Sequence, residues 1–397
     1  MRRLALAAAV TLTVALGTAA SAMPATAATK PERPLNSISC PTTTLCMAVG
    51  LDARTSHAIA ETFNGSRWSL TELPLPTGAK LAALASVDCP TKTRCMAVGQ
   101  WATSFAFPAN RLYAETWNGR NWNKIGGIPA PPGAHGAAYS GVSCASATSC
   151  VLTGIYDPAA GANPVSFAEV LITGKWHFFK LPGLSAGTSI VENVSCTSAS
   201  HCVAVGDTGT ARRSPLGTPA AAIIADTWNG RTWSAVKLPM PAGGRGAWLY
   251  DVSCSSATSC FATGGQNIGG GVSFTLAERL TGGKWKITSV ASATGTDMSL
   301  YGVSCPTAAM CMATGGSELP VNQDPAFADS WTGLAWLQWS VQPPGGNSSI
   351  LTSVSCATAA HCVAVGLYGD VNGSAYTDLF GFGSVWNGSN WRPVLTP

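Results

Sequence analysis

Cysteine, carboxylate and histidine are the side chains in this chain that could carry chemistry, and the first two recur at fixed spacing. All 14 cysteines fall into seven Cys-x5-Cys pairs: Cys40/Cys46, Cys89/Cys95, Cys144/Cys150, Cys196/Cys202, Cys254/Cys260, Cys305/Cys311 and Cys356/Cys362. Thiols so placed could hold a metal or close disulfides. Zinc sites use tighter cysteine spacing with histidine partners, and no histidine is shared by all these pairs, His201 and His361 preceding a second cysteine in only two. An even, regular pairing in an exported chain reads as one disulfide per pair.

An acidic residue precedes a tryptophan by seven positions in six places: Glu61/Trp68, Glu115/Trp122, Glu169/Trp176, Asp226/Trp233, Glu278/Trp285 and Asp329/Trp336; in a seventh, Ser384 precedes Trp391. Six acids could form a cation-binding or catalytic ring. Acid–base catalysis, however, needs carboxyls whose environments differ. One group copied six times reads instead as one structural hydrogen bond per repeat. A two-residue turn at Asn229-Gly230 would set Asp226 opposite Trp233 on one face of a hairpin. The carboxylate would then accept from the indole N–H or from a neighbouring backbone.

The other catalytic signatures are missing. There is no His-Glu-x-x-His, Gly-x-Ser-x-Gly or phosphate loop, and His57, His135, His177, His201 and His361 come without sequence partners. A carboxylate pair for glycoside hydrolysis could be assembled only across repeats, from Asp157, Asp207, Asp324 or Asp370.

These residues ride on a repeat. A phrase such as SVDCPTKTRCMAVG, starting at Ser86, occurs seven times, with first cysteines 49 to 58 residues apart. Each copy is followed by a second phrase such as ADTWNGRTW, starting at Ala225. Periods of this length belong to propeller blades rather than helical solenoids. Each unit predicts four strands. Strand a ends at the first cysteine, and b follows the second. Strand c ends at the Trp-Asn-Gly, and d carries the second tryptophan. Asn-Gly predicts a type I′ hairpin between c and d. Sheets of this size cannot bury both faces alone, so the expected fold is all-β, a seven-bladed β-propeller of four-stranded antiparallel blades over residues 35–397. Whether the ring closes through a shared blade stays open.

The segment before the repeats has a basic start, an apolar run from Leu4 and Ala-x-Ala sites at Ala20 and Ala25. It predicts a secretory signal peptide over residues 1–28 and a short linker over 29–34, hence a secreted, extracellular chain. No apolar run is long enough to span a membrane. Removing Arg2 and Arg3 from the 23 basic residues leaves 21 against 19 acidic ones. That balance argues against nucleic acid as a partner. A monomer is expected.

Spacing also predicts which face varies. From the strand-b glycine to the acidic position the intervening counts are 10, 15, 14, 19, 13, 13 and 17, whereas the other intervals barely change. The a–b and c–d turns of an antiparallel blade share one face, and the b–c and d–a loops share the other. Ligand contacts are therefore expected on the b–c side, from Trp101, Phe105, Phe107, Arg111, Tyr156, Asp157, Arg212, Arg213, Asn322, Asp324 and Tyr368. Aromatics beside amides and carboxylates suit an extracellular polysaccharide or protein.

One loop resembles a known motif. Asp370-Val-Asn372-Gly-Ser374-Ala-Tyr376-Thr-Asp378-Leu379 resembles the calcium loop of FG-GAP propeller repeats. The resemblance implies Ca²⁺ held by Asp370, Asn372, Ser374, the Tyr376 carbonyl and Asp378. It departs from the motif where Ser374 replaces a carboxylate and Ala375 replaces the turn glycine. The hairpin Asn229-Gly230-Arg231-Thr232-Trp233 resembles the Asp-box of sialidase-type propellers, with Trp228 in the Asp place. The repeat as a whole resembles a propeller family of secreted actinobacterial proteins. Two functions follow as expectations. The first is a non-catalytic binding propeller. The second is a carbohydrate-active enzyme, a glycoside hydrolase or lyase, with a pocket on the variable face.

Overall fold

The computed structural model describes residues 32–104, 110–159, 162–184, 188–209, 222–267, 273–290, 297–317, 326–372, 375–376 and 379–397. Among them there is no helix. The chain folds into seven successive four-stranded antiparallel units, each with its strands hydrogen-bonded in the order a-b-c-d. The first unit is Leu35–Thr42, Leu45–Asp52, His57–Phe63 and Trp68–Glu72. The fourth is Thr188–Ser198, His201–Gly209, Ala222–Trp228 and Trp233–Lys237. The sixth and seventh units touch edge to edge through one extra bridge, Gly316 with Ile350. All four strands of the first unit come from the start of the described chain and all four of the seventh from its end, so no unit is shared.

The repeat is propeller-like because each sheet packs on the next. Between the first two units, Val49, Ala60 and Leu73 meet Leu84, Val87 and Tyr113. The seventh unit packs against the first in the same way, with Val363 and Val365 against Leu35, Ile59, Phe63 and Trp68. Alternation explains this pattern: successive side chains on a strand point to opposite faces, and both faces here meet a neighbour.

All seven disulfides form within their pairs, as expected: Cys40–Cys46, Cys89–Cys95, Cys144–Cys150, Cys196–Cys202, Cys254–Cys260, Cys305–Cys311 and Cys356–Cys362. Each ties the end of strand a to the start of strand b, and closing such a small loop contributes about 2 kcal/mol on the chain-entropy account. The two members of a pair are not equivalent, a difference that spacing did not reveal. The second cysteines, Cys46, Cys95, Cys150, Cys202, Cys260, Cys311 and Cys362, are all buried. Each belongs to a different one of the seven hydrophobic clusters between sheets. Among the first cysteines, Cys196, Cys254 and Cys356 are only half-buried. The bridge therefore anchors each turn to the apolar core, because strand b is the more enclosed of the two strands it joins.

Next to each bridge lies a hydrogen bond between units. The first cysteine's N–H donates to the residue preceding the first cysteine of the unit before it. The donors Cys89, Cys144, Cys196, Cys254, Cys305 and Cys356 reach Ser39, Asp88, Ser143, Ser195, Ser253 and Ser304 at 2.6–3.0 Å. Cys40 reaches Ser355 at 2.9 Å, across the junction of first and seventh units.

A second row runs two residues earlier. Val87 and Val142 donate to Ser37 and Ser86, and Ile38 donates to Ser353. The third unit has Gly141 at this place and offers no side chain. There Asn193 of the fourth unit turns its own Oδ1 onto the Val194 N–H, filling the space that a Cβ on Gly141 would need.

Every strand a also carries a β-bulge four residues before the cysteine, for example at Ala85 between Leu84 and Ser86. The bulge drives a strand-a carbonyl toward strand b. A Cβ on the facing strand-b glycine would collide with it: Gly50 with the Pro34 carbonyl, Gly99 with Ala83, Gly206 with Ile190, Gly366 with Ile350. This explains why the repeated phrase ends in glycine.

The c–d register differs from expectation. Trp228, not Asp226, lies opposite Trp233, and Asp226 faces Ala235. The turn has four residues: the Asn229 N–H donates to the Thr232 carbonyl, and Asn229 Oδ1 accepts from the N–H groups of Arg231 and Thr232. Only the glycines of these Asn-Gly turns have positive φ, Gly230 at 91°. This is an Asx-type turn rather than type I′. Type I′ geometry occurs instead where no Asn-Gly exists, at Thr173-Gly174 and Gly282-Gly283, both residues positive in each. The longer turns fold back onto the a–b turns, with Gly65 over Thr44 and Gly230 over Ser200. The two kinds of turn thus share one face, called the underside below.

Truncating one acceptor of the inter-unit row tests its weight. Ser253→Ala leaves the N–H of buried Cys305 without its partner. It should cost about 1–3 kcal/mol in urea unfolding, and Ser253→Thr should recover most of the loss.

Candidate functional site

The face opposite the underside, called the upper face, carries the b–c and d–a connections, and each expected ligand residue can be placed against it. Trp101 and Arg111 are brought together. They are cross-strand partners, and the Arg111 guanidinium lies 5.4 Å from the Trp101 ring centroid. Arg111 is exposed and Trp101 half-buried. Phe105, Phe107, Arg212, Arg213, Asn322 and Asp324 lie outside the described residues.

Three expected ligand residues need correction. Tyr156 is buried, with Phe167 and Phe178 at centroid distances of 5.9 and 6.1 Å. Tyr368 is buried against Phe380 and Phe382 at 5.5 and 5.8 Å. Both strands continue past the point where the sequence suggested a loop, so alternation turns these rings into the packing between sheets. Asp157 is also buried, and its carbonyl accepts the His135 N–H at 2.9 Å. Asp370 is exposed. Beyond it, Val371 pairs with Tyr376 and Asn372 with Ala375 as a small hairpin. The side chains of Asn372 and Tyr376, and all of Ser374 and Asp378, lie outside the described residues. Among the described residues no group of three or more His, Cys, Asp or Glu converges to hold a metal. The cysteines take no part in this face. All 14 are spent in bridges at the underside, and the buried sulfurs of Cys46, Cys95, Cys150, Cys202, Cys260, Cys311 and Cys362 are packing atoms rather than ligand groups.

The d–a loops contribute residues that spacing alone did not single out. Pro76-Thr77-Gly78-Ala79, Pro131-Pro132-Gly133-Ala134 and Pro241-Ala242-Gly243-Gly244 each close with the fourth N–H on the first carbonyl, at 2.8–3.2 Å. Their glycines have φ of 81°, 70° and 74°, which defines type II turns. The next residue is Lys80, His135 or Arg245. Each docks its N–H on the end of strand b, at Ala102, Asp157 and Asn267, and leaves its side chain exposed. Three units thus present a cationic or imidazole side chain at the same place, just before strand a. The sequence signal was a Pro-x-Gly-x motif ending ten positions before the first cysteine. On the first unit, Arg33 Nε meets Asp52 Oδ2 at 2.7 Å. Burial raises the Asp52 pKa, but Arg33 and the N–H groups of Thr55 and Arg54 outweigh it and hold the carboxyl below its ordinary value.

The repeated acids are not on this face. Glu61, Glu115, Glu169, Asp226, Glu278 and Asp329 are all buried, with Ser384 in the seventh place. No acid accepts from the tryptophan seven residues on; the strand-d rings lie instead beside the residue two past the acid, as Trp68 does tilted against Phe63 at 5.0 Å and Trp336 against Trp331 at 5.6 Å. Glu115 and Glu169 accept from Tyr113 and Tyr139 hydroxyls at 2.9 and 3.0 Å. Burial pushes Glu169 up to about 8, with Tyr139 offsetting part, and pushes Glu278 to about 8 and Asp329 to about 7. Burial raises Asp226 to about 6, offset in part by the Gly183 N–H of the preceding unit. On strand a, burial lifts Asp251 to about 7 against hydrogen bonds from Val303, Val252 and Asn193, which join three units. These carboxyls are structural members of sheet interfaces.

No family model matches the chain, and no curated protein does. Among solved structures it is similar to YCF48 bound to D1 peptide, at 13% identity and a TM-score of 0.49 over 96% of this chain and 100% of that one. It is also similar to a protein of unknown function from Dyadobacter fermentans, at 11% identity and a TM-score of 0.48 over 75% and 92%. Likeness at this level says nothing about ligand or activity.

The buried acids set a pH dependence. A carboxyl whose folded pKa lies above its unfolded value, about 4, binds its proton more tightly in the folded state. Its contribution is complete below the unfolded value and is lost as pH rises through the folded one. Thermal stability should therefore fall between about pH 4 and pH 8, the upper bound set by Glu169 and Glu278. Glu278→Gln should flatten that fall; a melting temperature that rises across this range would contradict the burial account.

Proposed function

We propose that the seven units close into one seven-bladed β-propeller that works as a non-catalytic binding module, with the upper face as its ligand surface. The observation that carries this reading is the contrast between the two faces. The underside repeats short turns of near-constant length, every a–b turn clamped by a disulfide. The upper face joins the same strands through connections that differ from unit to unit in length and in side chains. A rigid scaffold with variable loops is the usual arrangement for recognition. Closure is supported by the packing and hydrogen bonds that join the seventh unit to the first. The six repeated carboxyls lie buried inside sheet interfaces, out of reach of a ligand on the upper face.

The ligand class is an extracellular polysaccharide or protein. The Trp101–Arg111 pair supplies a flat aromatic with a cation stacked on it, and Lys80, His135 and Arg245 supply hydrogen-bond donors around the inner rim. Seven disulfides fit an oxidising compartment outside the cytosol. The seventh-unit loop from Asp370 to Asp378 belongs to the same reading as a calcium site that would stiffen one part of this face.

Binding is read by screening the chain against glycan and peptide arrays. Trp101→Ala combined with Arg111→Ala should weaken the selected ligand by roughly tenfold or more, as loss of an aromatic–arginine anchor does. Leu334→Ala, in the cation-free turn of the sixth unit, should not. Equal binding by both variants would remove the upper face from consideration. Calcium should raise the melting temperature above its value in chelator; no difference would reject the ion and leave the rest of the reading in place.

A further inference from the structure

We infer that the underside is a second binding face, suited to lie against an acidic polysaccharide. Every a–b and c–d turn is described, so the composition of this face is complete. Arg67, Lys92, Arg94, Arg120 and Arg231 are exposed in these turns, and Lys175 and Lys284 flank the two tight ones, also exposed. No aspartate or glutamate occurs in any of them. The two ion pairs of the described residues, Arg33–Asp52 and His57–Glu72, lie elsewhere. The underside is therefore a field of one sign, spread over the first five units.

The near-neutral whole chain conceals this. Its acids are largely sorted away from the underside: six stand in the sheet interfaces, exposed Glu72 and Asp370 and half-buried Asp297 belong to the upper side, and half-buried Asp88, beside Cys89, is turned onto the Cys144 N–H. Several interface carboxyls also hold their protons toward neutral pH, so the formal count understates the positive charge. Cations spread across separate units suit an extended polyanion rather than a small ion.

The side chains between the charges narrow the class. Thr43, Thr93, Thr148, Ser200 and Thr258 are exposed there. No exposed aromatic accompanies them. Among the described residues the large apolar side chain most open to solvent is Leu334, at 91%, on the sixth unit, whose turns carry no cation. A membrane-binding face needs apolar residues to insert beside its charges, and the charged turns lack them. Guanidinium and ammonium groups for carboxylates, interleaved with hydroxyls for sugar hydroxyls, match a uronate-bearing chain.

The test is retention of the full chain on immobilised polygalacturonate at low ionic strength, with neutral dextran as reference. Retention is expected on the polyanion alone, and should disappear as salt approaches about 0.5 M. Reversal of the underside, Arg67→Glu with Arg120→Glu and Arg231→Glu, should weaken binding by roughly tenfold or more. The same charge change at the upper ends of strands d, Lys124→Glu with Lys180→Glu and Lys237→Glu, should leave it nearly unchanged. If the triple variant fails to fold, Arg120→Gln should still bind more weakly than Lys180→Gln. No retention at low salt, equal loss in both charge-reversed sets, or capture by anionic lipid vesicles but not by polygalacturonate would each overturn the proposal. None of these outcomes bears on the upper face, whose ligand is read by Trp101 and Arg111.

Discussion

A single hydrogen bond, from the first cysteine's N–H to the Ser or Asp side chain of the preceding unit, is what the remainder of this structure leans on. It recurs at all seven junctions, including the one between the seventh unit and the first. It also sits beside the disulfide that fixes the donor's own hairpin. The covalent bridge holds each turn rigid, and the hydrogen bond sets the angle at which that turn meets its neighbour. Apolar burial between sheets supplies most of the free energy, as it does in any folded domain. Burial has no direction, however, and would not by itself hold seven sheets in one register.

The interior acids follow from the same geometry. Each stands on strand c inside a sheet interface, at a place where the strand-d tryptophan ring closes the packing from the outside. A carboxyl there is cut off from water, and the chain meets the cost by keeping it protonated or by lending it a tyrosine hydroxyl or a backbone N–H. The result is a molecule whose negative groups are largely hidden while its positive ones are not. Net charge, taken over the whole sequence, averages that separation away.

Much of the fold was legible in the sequence because it is local and repeated. The seven units, the within-pair disulfides and the assignment of turns to faces all come from spacings of a few residues. Where structure and sequence part, the difference lies in detail that spacing does not carry. Asn229-Gly230 suggests a two-residue hairpin because Asn tolerates positive φ, but here its side chain caps the turn and only the glycine is left-handed. That moves Asp226 two places from the tryptophan it was expected to face. Tyr156 and Tyr368 look like loop residues because they stand near polar neighbours, yet their strands run on and turn both rings inward. The unequal burial within a cysteine pair, Cys202 enclosed and Cys196 less so, depends on which strand lies deeper between sheets. Lys80, His135 and Arg245 leave no mark in length variation, because their connections are of nearly constant length. The charge sorting on the underside becomes visible only once each cation is placed on a face.

Gly141 and Asn193 show that the seven units, though alike, are not interchangeable parts. The third unit lacks the acceptor its successor needs, and the fourth brings its own, in a space only a missing Cβ leaves open. Placed after any other unit except the sixth, whose Gly302 holds the same place, the fourth would push that amide into a side chain. The fourth unit therefore requires a glycine at this place in whichever unit precedes it. Anyone lengthening or shortening this array of units would have to preserve that pairing.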